Sequence, residues 1–213
     1  MAVDGTTSQT IVCEPAVTQS DLTGLGKVAE DGIRALLRLT RHDTPELLKN
    51  TPIRFLSAFF ELTEGYNELD GPDILFAKRF PAPGDDLIIL KDIEFVSICE
   101  HHLMPFGGQA HVAYVPEACV VGLSKLARLV DYYSRRLQLQ ERLTHQIATA
   151  IMTHVSAKGA ACVIEATHGC LSCRGARKAR ATFITSSMLG LFRNNGELRR
   201  EFFSAVHLTH SRI

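Results

Sequence analysis

The chain has 213 residues, of which 46% are hydrophobic and 22% charged, as is ordinary for one globular domain with or without a helical extension. Lysine plus arginine equals aspartate plus glutamate at 23 each, so no overall field attracts nucleic acid or an anionic membrane, and we expect neither as a partner. No apolar stretch approaches the length of a membrane span, and the polar leader lacks the features of a signal peptide. Six cysteines, some at metal-type spacing, indicate a reducing compartment, and we expect a cytoplasmic location.

The first part of the chain is predicted to be helical. Apolar residues recur at helical spacing from about Asp21. Thr51 and Pro52 predict the N-cap and the first residue of a second helix. Residues 67–86 are rich in Gly and Pro and are expected to form a connector. We therefore divide the chain into a flexible tail (1–20), an N-terminal helical segment (21–66) and a larger C-terminal domain (67–213).

The second part alternates between grouped strands and grouped helices. Ser124 is predicted to cap a helix that runs to Tyr133. Grouped strands and grouped helices favour an α+β fold, with an antiparallel sheet and helices on one face. The remaining predicted elements are strands over 87–90, 93–98, 109–115, 160–167 and 181–187, a turn over 104–108, and helices over 139–151 and 196–206.

Two short runs rich in Cys and His fall where predicted strands end. Cys99-Glu-His-His102 follows one strand, and His168-Gly-Cys170 follows another. Cys99, His102 and Cys170 offer two thiolates and one imidazole, and catalytic zinc sites commonly use three protein ligands and leave the fourth position to water. His101 and His168 are then free to move protons, which is typical of hydrolytic sites.

A closed structural zinc site is the alternative. Cys170-x-x-Cys173 has the short spacing of such sites, and Cys173 could supply a fourth ligand beside Cys99, His102 and Cys170. Cys119 and Cys162 lie in apolar surroundings and are expected to be core residues.

Five longer motifs follow one another along the chain. They are Ser97-Ile-Cys-Glu-His-His-Leu-Met-Pro-Phe106, Val121-Gly-Leu-Ser-Lys-Leu-Ala-Arg128, Ser134-Arg-Arg-Leu-Gln-Leu-Gln-Glu-Arg-Leu-Thr144, Glu165-Ala-Thr-His-Gly-Cys170 and Ser187-Met-Leu-Gly-Leu-Phe-Arg193. With these motifs the chain resembles the GTP cyclohydrolase I family from Ser97 through Phe203, and the helical part fits as well. That family has the tunnelling fold, which agrees with the α+β expectation. The resemblance also implies a homodecamer of two stacked pentameric rings, with active sites between subunits.

The resemblance implies a zinc-dependent hydrolase that converts GTP and water to 7,8-dihydroneopterin triphosphate and formate, the first step of pterin biosynthesis. It implies zinc on Cys99, His102 and Cys170 and proton transfer by His101 and His168. Glu141, assisted by Gln140, is expected to bind the Watson–Crick edge of guanine. The residues expected to bind the triphosphate are Ser124 and Lys125 at a helix start, Arg128, Arg174, and Arg54 from a neighbouring subunit.

Other interpretations stay open at this point. By spacing alone, Glu141 is a solvated charge on its helix. The chain could also be a non-catalytic protein with a closed zinc site, or a specialised relative that feeds a deazapurine pathway. His101, His168 and Glu141 favour the enzyme, because a structural zinc ion requires none of them.

Overall fold

The computed structural model describes residues 19–41, 44–66 and 71–207. The predicted tail over residues 1–20 lies almost wholly outside them, and the three-part division of the chain stays a prediction. The chain separates into two compact units that meet in sequence between Ala58 and Phe59. Helix α2 runs across that position.

Two helices, α1 (Gln19–Leu39) and α2 (Pro45–Leu62), account for the described part of the first unit. The prediction that Thr51 caps the second helix is wrong, because α2 begins at Pro45, where Thr44 Oγ1 accepts a hydrogen bond from the main-chain nitrogen of Leu47 at 3.3 Å. Thr44-Pro45 has the same cap-and-proline signature seven residues, or about two helical turns, earlier.

Pro52 therefore lies inside α2 and cannot donate to the carbonyl four residues before it. That carbonyl belongs to Leu48, and it accepts a hydrogen bond from Nε of Arg34 at 3.2 Å. The guanidinium of Arg34 is held in turn by Glu30 at 2.7 Å and Asp31 at 2.8 Å. A side chain of α1 thus satisfies the acceptor that the proline leaves without its helical donor.

The predicted connector over 67–86 contains regular structure in its described part. A 3₁₀ turn (Glu64–Tyr66) precedes it, and α3 (Pro72–Leu75) and β1 (Arg79–Pro81) lie within it. β1 pairs antiparallel with β4 (Cys119–Val121) in a two-stranded sheet. β1 forms by pairing with residues about 40 positions away, and the local composition of the connector gives no sign of that pairing.

The main sheet has five strands in the order β5-β2-β3-β6-β7. Every pair is antiparallel except β2 with the two-residue β5, which run parallel. The strands are β2 (Ile88–Cys99), β3 (Met104–Pro116), β5 (Leu137–Gln138), β6 (Ala157–His168) and β7 (Phe183–Gly190).

Two boundaries in this sheet differ from the predictions. The strands expected over 87–90 and 93–98 form one strand, β2, with a register shift between Leu90 and Ile93. Asp92 at this irregularity has φ 59°, and its N–H donates to Nδ1 of the buried His111 at 3.1 Å. The turn expected over 104–108 is the start of β3, and the chain reverses at residues 100–103 instead.

The remaining helices are α4 (Leu123–Ser134), α5 (Gln140–His154), α6 (Gly169–Ser172), α7 (Leu191–Asn194) and α8 (Gly196–His207). The N-cap of α4 is Gly122, without a side-chain cap, so the predicted cap at Ser124 is wrong. Ser124 is the second residue of the helix.

Side chains that alternate along β3 belong to two separate clusters. Val112 and Tyr114 pack with α4 and α5, whereas Ala113 and Val115 pack with Phe202 of α8. Because successive residues of a strand point to opposite faces, α4 and α5 cover one face and α8 covers part of the other. The predicted α+β class with a sheet backed by helices is confirmed, and α8 adds a short layer behind it.

Within the described ranges, none of the helices combines the length and the apolar character that crossing a membrane requires.

Candidate active site

The donor atoms of Cys99, His102 and Cys170 all lie within 4.8 Å of one another. Cys99 Sγ and His102 Nδ1 are 3.9 Å apart. Zinc bonds of about 2.3 Å to sulfur and about 2.0 Å to nitrogen, arranged tetrahedrally, place such donors roughly 3.5–3.8 Å apart. Cys99 is buried, Cys170 half-buried and His102 exposed, so the group is open on one side. The residues therefore fit a zinc ion with one open position.

β3 brings the two cysteines together. Phe106 on β3 lies opposite Ser97 of β2 and also opposite His168 of β6. Cys99 is two residues beyond Ser97, and Cys170 is two residues beyond His168, so both thiols come to the same end of the sheet. A Cβ on Gly169 would lie 2.9 Å from the carbonyl oxygen of Pro105, and this close approach of α6 to β3 requires a glycine.

The electrostatics of the two thiols favour a cation between them. Burial, and next the neighbouring Cys99, raise the pKa of the Cys170 thiol, while Arg174 acts in the opposite direction. Two adjacent thiolates repel each other, and a divalent metal removes that repulsion. None of the five cysteines in the described part of the chain forms a disulfide.

Cys173 stands outside this group. Its Sγ donates a hydrogen bond to the carbonyl oxygen of Gly169 at 2.8 Å, and its side chain is exposed. The metal-binding group in the described residues consists of Cys99, His102 and Cys170 without it. The arrangement therefore favours the three-ligand interpretation over the closed four-ligand site.

Gln140 orients His168, which precedes Cys170 by two residues. Its Nε2 donates to the carbonyl oxygens of Ile164 at 3.1 Å and Phe183 at 2.9 Å, and to Thr185 Oγ1 at 3.1 Å. With the amide nitrogen committed to these acceptors, Oε1 faces His168 Nε2 at 2.8 Å and must accept. The network therefore assigns the proton of His168 to Nε2 and leaves Nδ1 as a base.

Two aromatic rings fix the plane of His168. The ring of Phe106 stacks on it with centroids 4.5 Å apart and planes 6° apart, and Phe183 meets it edge-on at 5.8 Å. Burial lowers the pKa of His168, and the nearby carboxylate of Glu141 acts in the opposite direction. The lowered pKa favours the neutral imidazole, which can accept a proton at Nδ1.

His101 and Glu141 lie on exposed positions near these groups. His101 is in the reversal between β2 and β3, with its ring edge-on to that of His102 at 6.2 Å. Glu141 is exposed in the first turn of α5, next to Gln140, where the helix dipole favours a carboxylate.

The residues expected to bind the triphosphate are more dispersed. Ser124 and Lys125 are in the first turn of α4, and Arg128 follows one turn later. Arg128 also lines a cavity of about 350 Å³, together with Glu64, Asp131 and Arg135 among others. Arg174 is close enough to Cys170 to lower its pKa. Arg54 lies on α2, in the first unit, with an exposed side chain.

Sequence reasoning missed several residues that shape the site. Phe106 and Phe183 contact His168 only because strand pairing places them there, and no local pattern indicates this. Glu100 and Arg142 form an ion pair beside the metal group. The sequence shows a negative charge at Glu100 and a positive charge at Arg142, but only the fold brings the two side chains together.

The fold and the site define an α+β protein with an oriented histidine and a Cys–His–Cys group that could hold a metal ion at one end of its sheet. The family model described as GTP cyclohydrolase I matches residues 29–207. A protein named GTP cyclohydrolase 1 from Campylobacter jejuni (subsp. jejuni serotype O:6) is 46% identical over 182 residues, which cover 85% of this chain and 95% of that protein. Its namesake from Methylococcus capsulatus is 51% identical over 162 residues, covering 76% and 86%. The chain belongs to the GTP cyclohydrolase I family.

Proposed function

We propose that this chain is a zinc-dependent GTP cyclohydrolase I that converts GTP and water to 7,8-dihydroneopterin triphosphate and formate. The product feeds pterin biosynthesis. The observation that carries the proposal is the grouping of Cys99, His102 and Cys170 within 4.8 Å at the strand ends beside an oriented His168. Relatives over most of the chain length carry the name of this activity.

Cys99, His102 and Cys170 would hold the zinc ion. Bound zinc is a Lewis acid that activates water at neutral pH, which addresses the difficulty of adding water to an aromatic carbon of guanine. The exposed side of the group, at His102, leaves room for water and substrate. Two thiol ligands must stay reduced to bind metal, and this supports a cytoplasmic setting.

His168 and His101 would transfer protons during ring opening. Nδ1 of His168 is the atom free to accept and return a proton, because Gln140 occupies Nε2. Stacking on Phe106 keeps the ring in one plane while the proton moves. His101, exposed and with its ring edge-on to that of His102, would serve as a second proton-transfer group.

Glu141 would recognise guanine. A carboxylate accepts two N–H bonds, and guanine presents adjacent N–H donors on its Watson–Crick edge. Its electrostatic interaction with His168 supports a position near the reacting ring. The side chain of Gln140 is buried and engaged with His168, so its assistance in substrate binding would act through that histidine.

The triphosphate would meet positive charge and a helix N-terminus. Ser124 and Lys125 in the first turn of α4 offer a hydroxyl, an ammonium group and the helix dipole, with Arg128 one turn on. Arg174 would place a guanidinium beside the metal group. We propose that Arg54 contributes from a neighbouring subunit.

We further propose that the chain assembles into a decamer of two pentameric rings with sites between subunits. Exposed apolar side chains support an association: Leu25, Val28, Leu36 and Leu39 on α1 are 59–80% exposed. The eight-residue edge strand β7 exposes Phe183 and Ile184 and pairs with β6. An open edge of this length favours pairing with another chain.

The decisive test is incubation of the purified protein with GTP, followed by measurement of formate and of a fluorescent oxidised pterin. His168→Ala and His101→Ala should retain zinc but lose activity by roughly a hundred- to ten-thousand-fold, as is typical of acid–base groups. A zinc-loaded wild type that releases neither product would refute the proposal. Native mass spectrometry of the same sample tests the decamer.

A further inference from the structure

A chain of polar side chains links the reversal that carries His101 and His102 to the start of α5. Glu100 lies between Cys99 and His101, and its carboxylate forms an ion pair with the guanidinium of Arg142. Arg142 is the third residue of α5 and adjoins Glu141. The roles proposed above for metal, base and phosphate binding involve neither member of this pair.

Gln138 determines where the guanidinium of Arg142 points. Gln138 is 2% exposed, and its Nε2 donates to the carbonyl oxygen of Tyr133 and to Oε1 of Gln146, both at 2.8 Å. Its own Oε1 is therefore left to accept, and Arg142 Nε donates to it at 3.0 Å. A guanidinium is planar, so holding Nε also directs the terminal nitrogen that contacts Glu100.

The segment held in this way is under conformational strain. Leu103 has φ 51°, a left-handed conformation that non-glycine residues rarely adopt, and its apolar side chain is 54% exposed. Main-chain nitrogens of His102 and Leu103 both donate to the carbonyl oxygen of Cys99, at 3.3 and 2.8 Å. Glu100 is tied to β5 twice, by its side chain through Arg142 and by its N–H, which donates to the carbonyl oxygen of Gln138 at 3.2 Å.

We propose that Arg142 is a positioning residue for the metal centre. Through Glu100 it holds the 100–103 reversal in the conformation that brings His102 towards Cys99 and Cys170. An isolated, exposed ion pair contributes little to stability. In this pair, however, the buried Gln138 amide orients Arg142, and a main-chain hydrogen bond holds Glu100 in place. This inference rests on the proposed function, since it requires zinc on these three ligands. Outer groups that orient metal ligands typically contribute about ten- to a hundredfold in metal affinity.

The test compares zinc dissociation constants of full-length variants, measured by competition with a chromophoric chelator. Arg142→Met should weaken zinc binding about tenfold or more. Arg142→Lys should recover part of the loss, because an ammonium can reach Glu100 but cannot also reproduce the fork that binds Gln138. The matched control is Lys158→Met, which removes the ion pair with Asp85 at the other end of β6 and should leave zinc binding unchanged.

A second background establishes that Arg142 acts through Glu100. In Glu100→Gln, adding Arg142→Met should weaken zinc binding by less than twofold further. A full additional loss there would overturn the inference, as would unchanged zinc affinity in Arg142→Met alone. If Arg142→Met does not fold, the zinc affinities of Arg142→Lys and Glu100→Gln test the inference instead. Both should be weaker than that of the wild type, and unchanged affinity in both would overturn it.

Hydrogen exchange separates this inference from the proposed function. In metal-free protein, the peptide covering residues 100–104 should exchange faster in Arg142→Met than in wild type and Lys158→Met. If the wild type binds no zinc, the proposed function is wrong. The exchange rate of the 100–104 peptide then still tests whether Arg142 holds the 100–103 reversal, because this measurement does not require the metal. Equal exchange in all three proteins would overturn that role.

Discussion

Oε1 of Gln140 lies 2.8 Å from Nε2 of His168, and the amide nitrogen of the same side chain donates to main-chain carbonyl oxygens of β6 and β7. Gln140 is 1% exposed and is the first residue of α5. One side chain therefore joins the helix, two strands and the histidine that we propose for proton transfer. The protonated nitrogen of that histidine is set by a buried amide whose own orientation cannot reverse without losing two hydrogen bonds.

Replacing Gln140 by Leu should reduce kcat about tenfold or more while zinc stays bound, because His168 loses the acceptor that fixes its proton on Nε2. The measurement is steady-state turnover together with metal content. Thr185→Val is the control, since it removes one acceptor of the amide nitrogen and leaves the contact with His168 in place. Equal losses in both variants would mean that the effect is one of packing.

Replacing Cys99, His102 or Cys170 should abolish both zinc binding and activity, because each supplies one of three protein ligands. Cys173→Ser should keep about one zinc per subunit, since the Cys173 thiol is directed to the carbonyl oxygen of Gly169. Metal analysis by mass spectrometry after gel filtration distinguishes the four proteins. Loss of zinc in Cys173→Ser would support the closed four-ligand site instead.

Glu141→Gln should weaken GTP binding at least about tenfold, because an amide presents a donor where guanine also presents donors, and an unpaired polar group costs about 1–3 kcal/mol. Zinc content should not change. Equilibrium binding of GTP measures the effect. Glu197→Gln, which neutralises an exposed carboxylate in the first turn of α8, is the matched control and should bind GTP normally. Normal GTP binding by Glu141→Gln would contradict the proposed role and would mean that Glu141 is only a solvent-exposed charge on its helix.

Asp131→Asn should raise the melting temperature at pH 7. Burial raises the pKa of Asp131, against the effect of Arg135, and the carboxylate lies in the last turn of α4, where the helix dipole disfavours negative charge. In the unfolded protein the pKa of Asp131 is about 4, and in the folded protein it is higher. The protonated Asp131 therefore stabilises the folded state at a pH below about 4, and this stabilisation is lost as the pH rises through the folded pKa. The advantage of the variant should therefore shrink as the pH is lowered towards 4. Asp86→Asn, which removes a carboxylate at an exposed position, is the control, and scanning calorimetry across this pH range measures both variants.

Periodicity and motif spacing predicted the long elements well. The helix expected over 139–151 matches α5 apart from Leu139, which is its N-cap, because its buried residues repeat at helical spacing. The strand expected over 160–167 lies within β6, whose apolar run is buried almost continuously. The metal group was predictable for a similar reason, since Cys99 and Cys170 both follow apolar strands and strand ends of one sheet can meet. The α+β class followed from the order of these segments.

Details that depend on pairing across the fold were not predictable. Pro52 signals a helix start, yet a distant guanidinium supplies the hydrogen bond that its ring removes, so α2 continues through it. Pro105 and two glycines suggested a turn, but β3 lies between two other strands there, and ladder pairing outweighs turn preference. The hydrogen bonds of the Gln140 amide were not predictable either, because they depend on which main-chain carbonyls of β6 and β7 face α5.

The central place of β3 also limits when metal can enter the protein during its synthesis. Cys99 and Cys170 are held together only once β3 has paired with β2 on one side and β6 on the other. While the ribosome has released β2 and β3 alone, the nascent chain carries only two of the three proposed ligands, Cys99 and His102, which are too few for tight zinc binding. We therefore expect that chains truncated before α6, which carries Cys170, do not retain zinc.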